Sequence, residues 1–149
     1  LAQAYYRLQR PADAAAQLEK AASLAPNDAK LLFQLGSAYI DMKDLPKAGA
    51  ALEQGLSKVT DPKDPLAYEA RVMLGAVQFA TGAPEKAKAT YEQALAQQPN
   101  GATALLGLGK VLSQSNVEES IRTFQKVVAA HPGTPQAAEA EAFIAALKK

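Results

Sequence analysis

The 149-residue sequence contains no cysteine, no tryptophan and only one histidine, and it has no long uninterrupted run of apolar residues. The lack of cysteine excludes disulfides, a thiolate nucleophile and a thiolate metal site. It does not indicate a compartment, because reducing and oxidising compartments both tolerate proteins without cysteine. No run approaches the roughly 20 apolar residues of a membrane-spanning helix, so we expect no membrane insertion.

The charges are balanced and do not favour one class of charged partner. Sixteen basic residues accompany fifteen acidic ones, which gives a formal net charge of +1. This balance provides no basic field for nucleic acid, and no basic cluster is interleaved with aromatic residues, so we expect no nucleic-acid binding. Alanine is abundant and stretches of β-branched residues are scarce, which favours helices over sheet.

Candidate catalytic and metal-binding groups are isolated from one another in the sequence. His131 follows an apolar stretch, where we expect a helix end, and no partner has a spacing typical of a metal site or a catalytic pair. Asp61 and Asp64 are too few for a calcium loop, and we expect them to form turns. Gly107 and Gly109 lie in a helical pattern, which excludes a dinucleotide-binding loop. We therefore expect no cofactor and no enzymatic activity.

A leucine–glycine pair recurs at a regular spacing. Gly36, Gly75 and Gly109 each follow a leucine, and 39 and then 34 residues separate these glycines. Glycine inside a helix lowers helix stability by roughly 1 kcal/mol relative to alanine. Its recurrence in apolar helical segments therefore requires a packing reason. Recurrence at this period indicates a repeat architecture.

Each unit of the repeat predicts two amphipathic helices joined by a short polar turn. Suitable capping residues precede the predicted helices. Asn27 and Asp28 precede one first helix, and Asn100 precedes another. Asp44 precedes a second helix, and Asn116 forms a capping-box-like pair with Glu119. The unit is therefore a helix hairpin.

These hairpins resemble the tetratricopeptide repeat. Its pattern places a large residue, leucine–glycine and an aromatic residue in the first helix, followed by alanine, an aromatic residue and proline. About three and a half repeats match in register over nearly the whole chain. The matching residues are Leu32, Leu35, Gly36, Tyr39, Ala48 and Leu52 in repeat 2; Leu74, Gly75, Ala87, Tyr91, Ala94 and Pro99 in repeat 3; and Leu105, Leu108, Gly109, Leu112, Phe124 and Pro132 in repeat 4.

The resemblance implies an all-α fold, a right-handed superhelical solenoid of antiparallel helix hairpins over residues 1–149. Its expected parts are a truncated repeat 1 (1–28), repeat 2 (29–62), an inserted loop (63–67), repeat 3 (68–101), repeat 4 (102–133) and a capping helix (134–149). Because the chain begins at Leu1 within the helical pattern, we expect a fragment of a longer protein. Its uncovered N-terminal edge would continue into upstream repeats or pair with another chain.

The recurring glycines predict close contacts inside each hairpin. We expect each glycine to lie where the two helices of one hairpin approach. Ala14, Ala48 and Ala87 are expected to serve the same contact from the second helix. Repeat 3 departs from the pattern, because Arg71 takes the large apolar position and Gln78 the aromatic one. We expect that repeat to pack more loosely.

In the family, the first helices line a concave face that holds ligands, and the resemblance implies which residues face it. This predicted groove consists of Tyr6, Arg7, Lys30, Phe33, Gln34, Ser37, Ile40, Glu69, Val72, Met73, Ala76, Phe79, Leu106 and Lys110. An apolar stripe with a polar rim suits an amphipathic helix or an extended peptide. Replacing Phe33 and Phe79 with alanine is expected to abolish binding with little loss of fold. Two alternatives stay open: a segment of the parent protein or a second copy fills the groove, or its residues only pack adjacent helices.

The function that the resemblance implies is a non-enzymatic scaffold or adaptor that binds a protein or peptide. One alternative is a bacterial envelope scaffold for surface-polysaccharide export or outer-membrane assembly, which the alanine-rich composition and the ending "HPGTPQAAEAEAF" resemble. That alternative would place the protein in the periplasm or envelope. A second alternative is an accessory domain of a larger enzyme.

Overall fold

A computed structural model of the protein describes residues 11–61 and 63–149. Within these ranges the chain forms helices and no strand, which confirms the expected all-α solenoid. No helix in these ranges is long and apolar enough to cross a membrane. The helices are α1 (Pro11–Leu24), α2 (Ala29–Asp41), α3 (Leu45–Leu56), α4 (Pro65–Ala80), α5 (Pro84–Gln97), α6 (Ala102–Leu112), α7 (Val117–Ala130) and α8 (Pro135–Leu147).

The helices pack as successive hairpins. α2 packs on α3, α4 on α5 and α6 on α7, and each hairpin also packs on the helix that follows it. α8 packs on α7 and also on α6, so it takes the place that the first helix of a further hairpin would occupy. Each hairpin therefore buries its apolar faces against its neighbours, as in other repeat folds.

Polar side chains cap most of the helix starts, as the sequence predicts. The carboxylate of Asp28 accepts a hydrogen bond from the backbone N–H of Leu31 at 3.2 Å, and Asp44 caps α3 in the same way. The side chain of Asn116 accepts from the backbone N–H of Glu119 at 3.1 Å and donates to its carboxylate at 3.2 Å. These bonds satisfy amide groups that have no partner within the helix.

Two helix starts differ from the sequence prediction. α6 has Gly101 as its N-cap and no side-chain cap, so the expectation for Asn100 is wrong. α4 begins at Pro65, directly after Asp64, whose carboxylate accepts from the backbone N–H of Leu66 at 2.9 Å. Residues 65–67 are therefore helical instead of part of an inserted loop, because a capping aspartate followed by proline starts the helix early.

The turns inside the first two complete hairpins share one hydrogen-bond pattern. After α2, the N–H of Asp44 donates to the carbonyl of Tyr39 at 2.9 Å, and after α4 the N–H of Ala83 donates to that of Gln78 at 2.8 Å. Both turns place one residue in the left-handed region, Lys43 at φ 62° and Gly82 at φ 79°. This arrangement satisfies the last carbonyls of each first helix.

The recurring glycines lie at the hairpin contacts, as predicted. A β-carbon at Gly36 would lie 2.7 Å from Cγ of Leu52, and one at Gly109 would lie 2.6 Å from Cε1 of Phe124. A β-carbon at Gly75 would lie 2.8 Å from Cε1 of Tyr91. A side chain at any of these positions would push the two helices apart.

The last helix covers the end of the stack. The ring of Phe143 in α8 stacks on the ring of Phe124 in α7, with 5.1 Å between the ring centroids. Ile144 and Leu147 pack against the same apolar cluster. The side chain of Thr134 caps α8.

Candidate functional site

The first helices of the hairpins form the inner layer of the solenoid. α2 contacts α4, α4 contacts α6, and α6 contacts α8, whereas the second helices contact only their neighbours along the chain. The layer whose helices lie closer together is on the inside of the curve. The inner face is therefore the exposed side of α2, α4, α6 and α8.

The exposed side of each first helix is a stripe of residues at spacings of four, three and four, which places them on one helical face. The stripe on α4 consists of Glu69, Met73, Ala76 and Ala80, and all but Met73 are exposed. The corresponding stripes are Lys30, Gln34, Ser37 and Asp41 on α2, and Thr103, Gly107, Lys110 and Gln114 extending from α6 into the turn that follows. The centre of the face therefore carries small residues with polar groups on both sides.

The residues predicted to line the groove divide into four groups. Tyr6 and Arg7 lie outside the described residues. Exposed positions are Lys30, Glu69 and Ala76. Half-buried positions are Gln34, Ser37, Ile40, Val72, Met73, Phe79 and Lys110, and buried positions are Phe33 and Leu106.

Phe33 is a core residue, and the expectation that it is available to a ligand is wrong. Its side chain is 6% exposed, and a β-carbon at Gly55 would lie 2.6 Å from its Cε1. The ring fills the space that Gly55 leaves in the α2–α3 hairpin. Replacing Phe33 with alanine would therefore remove core packing, and the expectation of little loss of fold does not apply to it.

The other large apolar residues of the predicted groove also pack between helices. Leu106 is 6% exposed and belongs to the cluster around Phe124. Ile40 and Met73 pack against the buried cluster of the first hairpins, and Val72 and Phe79 pack against the following cluster. The apolar stripe is therefore narrower than the sequence pattern implies.

Lys110 is engaged with the capping helix. Its Nζ lies 2.7 Å from a carboxylate oxygen of Glu139 and 5.3 Å from the ring centroid of Phe143, both in α8. Glu139 and Phe143 thus border the inner face at its C-terminal end, and the predicted groove omitted both. No sequence signal could identify this contact, because it depends on how α8 crosses α6.

The isolated polar groups noted in the sequence have structural partners. Nε2 of His131 lies 2.5 Å from the carbonyl oxygen of Asn100, so the imidazole joins the end of α7 to the turn before α6. Asp61 accepts a hydrogen bond from the backbone N–H of Lys63 at 2.8 Å. Among the described residues, no group of three or more histidine, aspartate or glutamate side chains could hold a metal ion.

Comparison with known families identifies the repeats. The family model for the tetratricopeptide repeat matches residues 1–65 and 72–135. The chain belongs to the tetratricopeptide repeat family. Proteins of this family generally act as scaffolds for protein–protein interaction. No curated protein sequence is significantly similar to the chain.

Solved structures of other tetratricopeptide repeat proteins share the fold at low sequence identity. YrrB, described as having an unusual peptide-binding site, is 20% identical with a TM-score of 0.79, over 98% of this chain and 72% of its own. MamA from Desulfovibrio magneticus RS-1 is 22% identical with a TM-score of 0.80, over 99% of this chain and 89% of its own. A repeat protein from Parabacteroides merdae ATCC 43184 is 18% identical with a TM-score of 0.84, over 99% of this chain and 57% of its own.

Proposed function

We propose that the inner face of the solenoid binds an extended segment of a partner protein, and that the protein acts as a non-enzymatic scaffold or adaptor. The observation that carries this proposal is the open centre of the face. Ala76 is exposed on α4, and its small side chain leaves room for the side chains of a ligand.

The groups beside this centre favour an extended peptide over an amphipathic helix. A helix in a groove needs a broad apolar surface for its i, i+3, i+4 and i+7 side chains. Phe33 and Leu106 are buried and do not supply that surface. Gln34 and Ser37 on α2 instead present hydrogen-bonding groups, and an extended peptide has free backbone N–H and C=O groups to pair with them.

The proposal is tested by blocking the centre of the face. Peptides are selected from a displayed random library against the protein, and the selected peptides are titrated into the wild type and into Ala76→Glu. We expect the substitution to weaken binding at least tenfold, because a charged side chain then occupies the ligand space.

The matched control is Ala89→Glu, which makes the same change at an exposed position of α5 in the outer layer. Circular dichroism checks that both variants are folded. If Ala76→Glu binds the selected peptides as tightly as Ala89→Glu does, the inner face is not the binding surface. The envelope role, the enzyme-accessory role and self-association at the N-terminal edge stay predictions from the sequence.

A further inference from the structure

A second surface, separate from the inner face, contains an arginine where the repeat pattern has a buried leucine. Arg71 occupies the same repeat position as Leu32 and Leu105, which are 2% and 3% exposed. Arg71 itself is half-buried. A guanidinium at this hairpin position replaces apolar packing, so it requires polar partners.

Two hydrogen bonds hold the guanidinium in place. Nη1 of Arg71 donates to Oε1 of Gln97 at 3.0 Å, and Nε2 of Gln97 donates to the backbone carbonyl of Asp64 at 2.8 Å. The bond to Gln97 uses one of five guanidinium N–H donors. No carboxylate within the described residues lies in ion-pair distance of Arg71. The remaining donors are therefore oriented but without an anionic partner.

A cleft of about 560 Å³ lies beside this arginine. The described residues that line the cleft are Lys63, Arg71, Gln93, Ala96, Gln97 and Gln98. They supply two positive charges and three carboxamides, and no carboxylate. Because four of the six belong to α5 or its C-terminal cap, the cleft opens on the outer layer of the solenoid.

We propose that this cleft, which we name the Arg71 cleft, binds a glutamate or aspartate side chain of an acidic peptide segment. A guanidinium presents two parallel N–H groups that match the two oxygens of a carboxylate, and Lys63 adds a second positive charge at the rim. The C-terminal end of α5 contributes about half a negative charge, which offsets only part of these two full positive charges. The Arg71 cleft is independent of the proposed inner-face site.

The test follows the side-chain Nε–Hε resonance of Arg71 in the ¹⁵N-labelled protein. The probes are a blocked peptide with three consecutive glutamates, the same peptide with three glutamines, and inorganic phosphate. We expect the glutamate peptide to shift the Arg71 resonance in a saturable manner that weakens with added sodium chloride. The glutamine peptide is expected to leave the resonance in place.

Variants of the cleft separate binding from folding. Arg71→Leu introduces the residue type found at the equivalent positions Leu32 and Leu105, so we expect this variant to stay folded. We expect it to bind the glutamate peptide at least tenfold more weakly than the wild type does. Arg71→Gln provides a second, polar replacement with the same expected loss. Arg122→Leu removes an exposed arginine on α7 and is expected to bind as the wild type does.

Three results would overturn the proposal. The first is that the glutamate peptide does not shift the Arg71 resonance. The second is that Arg71→Leu binds the peptide as tightly as the wild type does, and the third is that phosphate binds as tightly as the glutamate peptide. None of them bears on the inner face, where Ala76→Glu is the test. A failure of either site is therefore distinguishable from a failure of the other.

Discussion

The ring of Tyr91 in α5 lies against Gly107 in α6, in space that any larger residue at position 107 would need for its side chain. A β-carbon at Gly107 would lie 2.5 Å from both Cε1 and Oη of Tyr91. Gly75 in α4 also lies against the ring of Tyr91, since a β-carbon there would lie 2.8 Å from Cε1 of Tyr91. Tyr91 therefore joins its own hairpin to the next one, and two glycines determine how closely these helices approach.

Gly107→Ala should destabilise the protein, although alanine is the better helix former. The added β-carbon overlaps a ring that is 4% exposed and has little freedom to move, so we expect a loss of about 1–3 kcal/mol in the free energy of unfolding. Gly49→Ala is the matched control in α3, because its β-carbon would meet only Cγ1 of Val77 at an ordinary 3.6 Å. Helix propensity should make the control more stable by up to about 1 kcal/mol. Urea denaturation measures both, and a loss of similar size in both variants would contradict the packing argument.

Gly36 and Leu52 should show coupled effects on stability. Gly36→Leu is expected to destabilise by about 1–3 kcal/mol or more, because its side chain would overlap Leu52 across the α2–α3 hairpin. Leu52→Ala alone should cost about 2–5 kcal/mol, since Leu52 is fully buried. In the double variant the larger side chain fills the vacated space, so its loss should be smaller than the sum of the two single losses. Thermal and urea denaturation of the four proteins test this, and strictly additive losses would show that the two positions do not interact.

Lys43→Gly should stabilise the turn between α2 and α3. Lys43 has a φ of 62°, which is unfavourable for a residue with a β-carbon, and glycine removes that strain. The expected gain is up to about 1 kcal/mol, since glycine also makes the unfolded chain more flexible. Gly82→Ala is the reverse change at the equivalent turn and should cost about 1 kcal/mol, because φ is 79° there and no atom lies within 4 Å of the added β-carbon. Changes of the same sign in the two variants would contradict a conformational origin.

Tyr91 should make the folded state sensitive to alkaline pH. Burial raises the pKa of Tyr91 from 10.0 to about 12, so the folded state holds the phenol proton to higher pH than the unfolded state does. The resulting stabilisation is fully present below about pH 10 and is lost as the pH rises towards about 12. We expect the urea midpoint of the wild type to fall over this range, and that of Tyr91→Phe to fall less. Equal decreases in the two proteins would show that Tyr91 does not contribute to the pH dependence.

The sequence predicts the hairpins because their signals are local or periodic. The leucine–glycine register identifies the helices that approach closely, and the cap at Asp28 needs only the amide groups of the next turn. The pattern predicts an inserted loop over residues 63–67, whereas α4 begins at Pro65, directly after the capping residue Asp64. Matching residues to a repeat pattern locates the ends of helices poorly.

The candidate site was only partly predictable from the pattern. The place of Ala76 in the repeat predicts a residue of the inner face. Ala76 is exposed in the structure, and its contact with a ligand stays a prediction. The burial of Phe33 does not follow from that rule, because it depends on Gly55, a residue 22 positions further along the chain that leaves space for the ring. The pattern predicts Lys110 at the rim of the groove, whereas its ion pair with Glu139 depends on how α8 crosses α6.

The sequence by itself determined the repeat period, the helix hairpins and the glycine contacts within them, because these depend on residues at fixed short spacings. Only the tertiary structure decided which large residues face the interior, how Tyr91 joins two hairpins at Gly107, and how Gln97 orients Arg71 beside an open cleft. Each of these contacts joins different helices. Their geometry is set by how the helices pack, and side-chain volume and hydrogen-bond directions at that interface are not encoded in any local pattern.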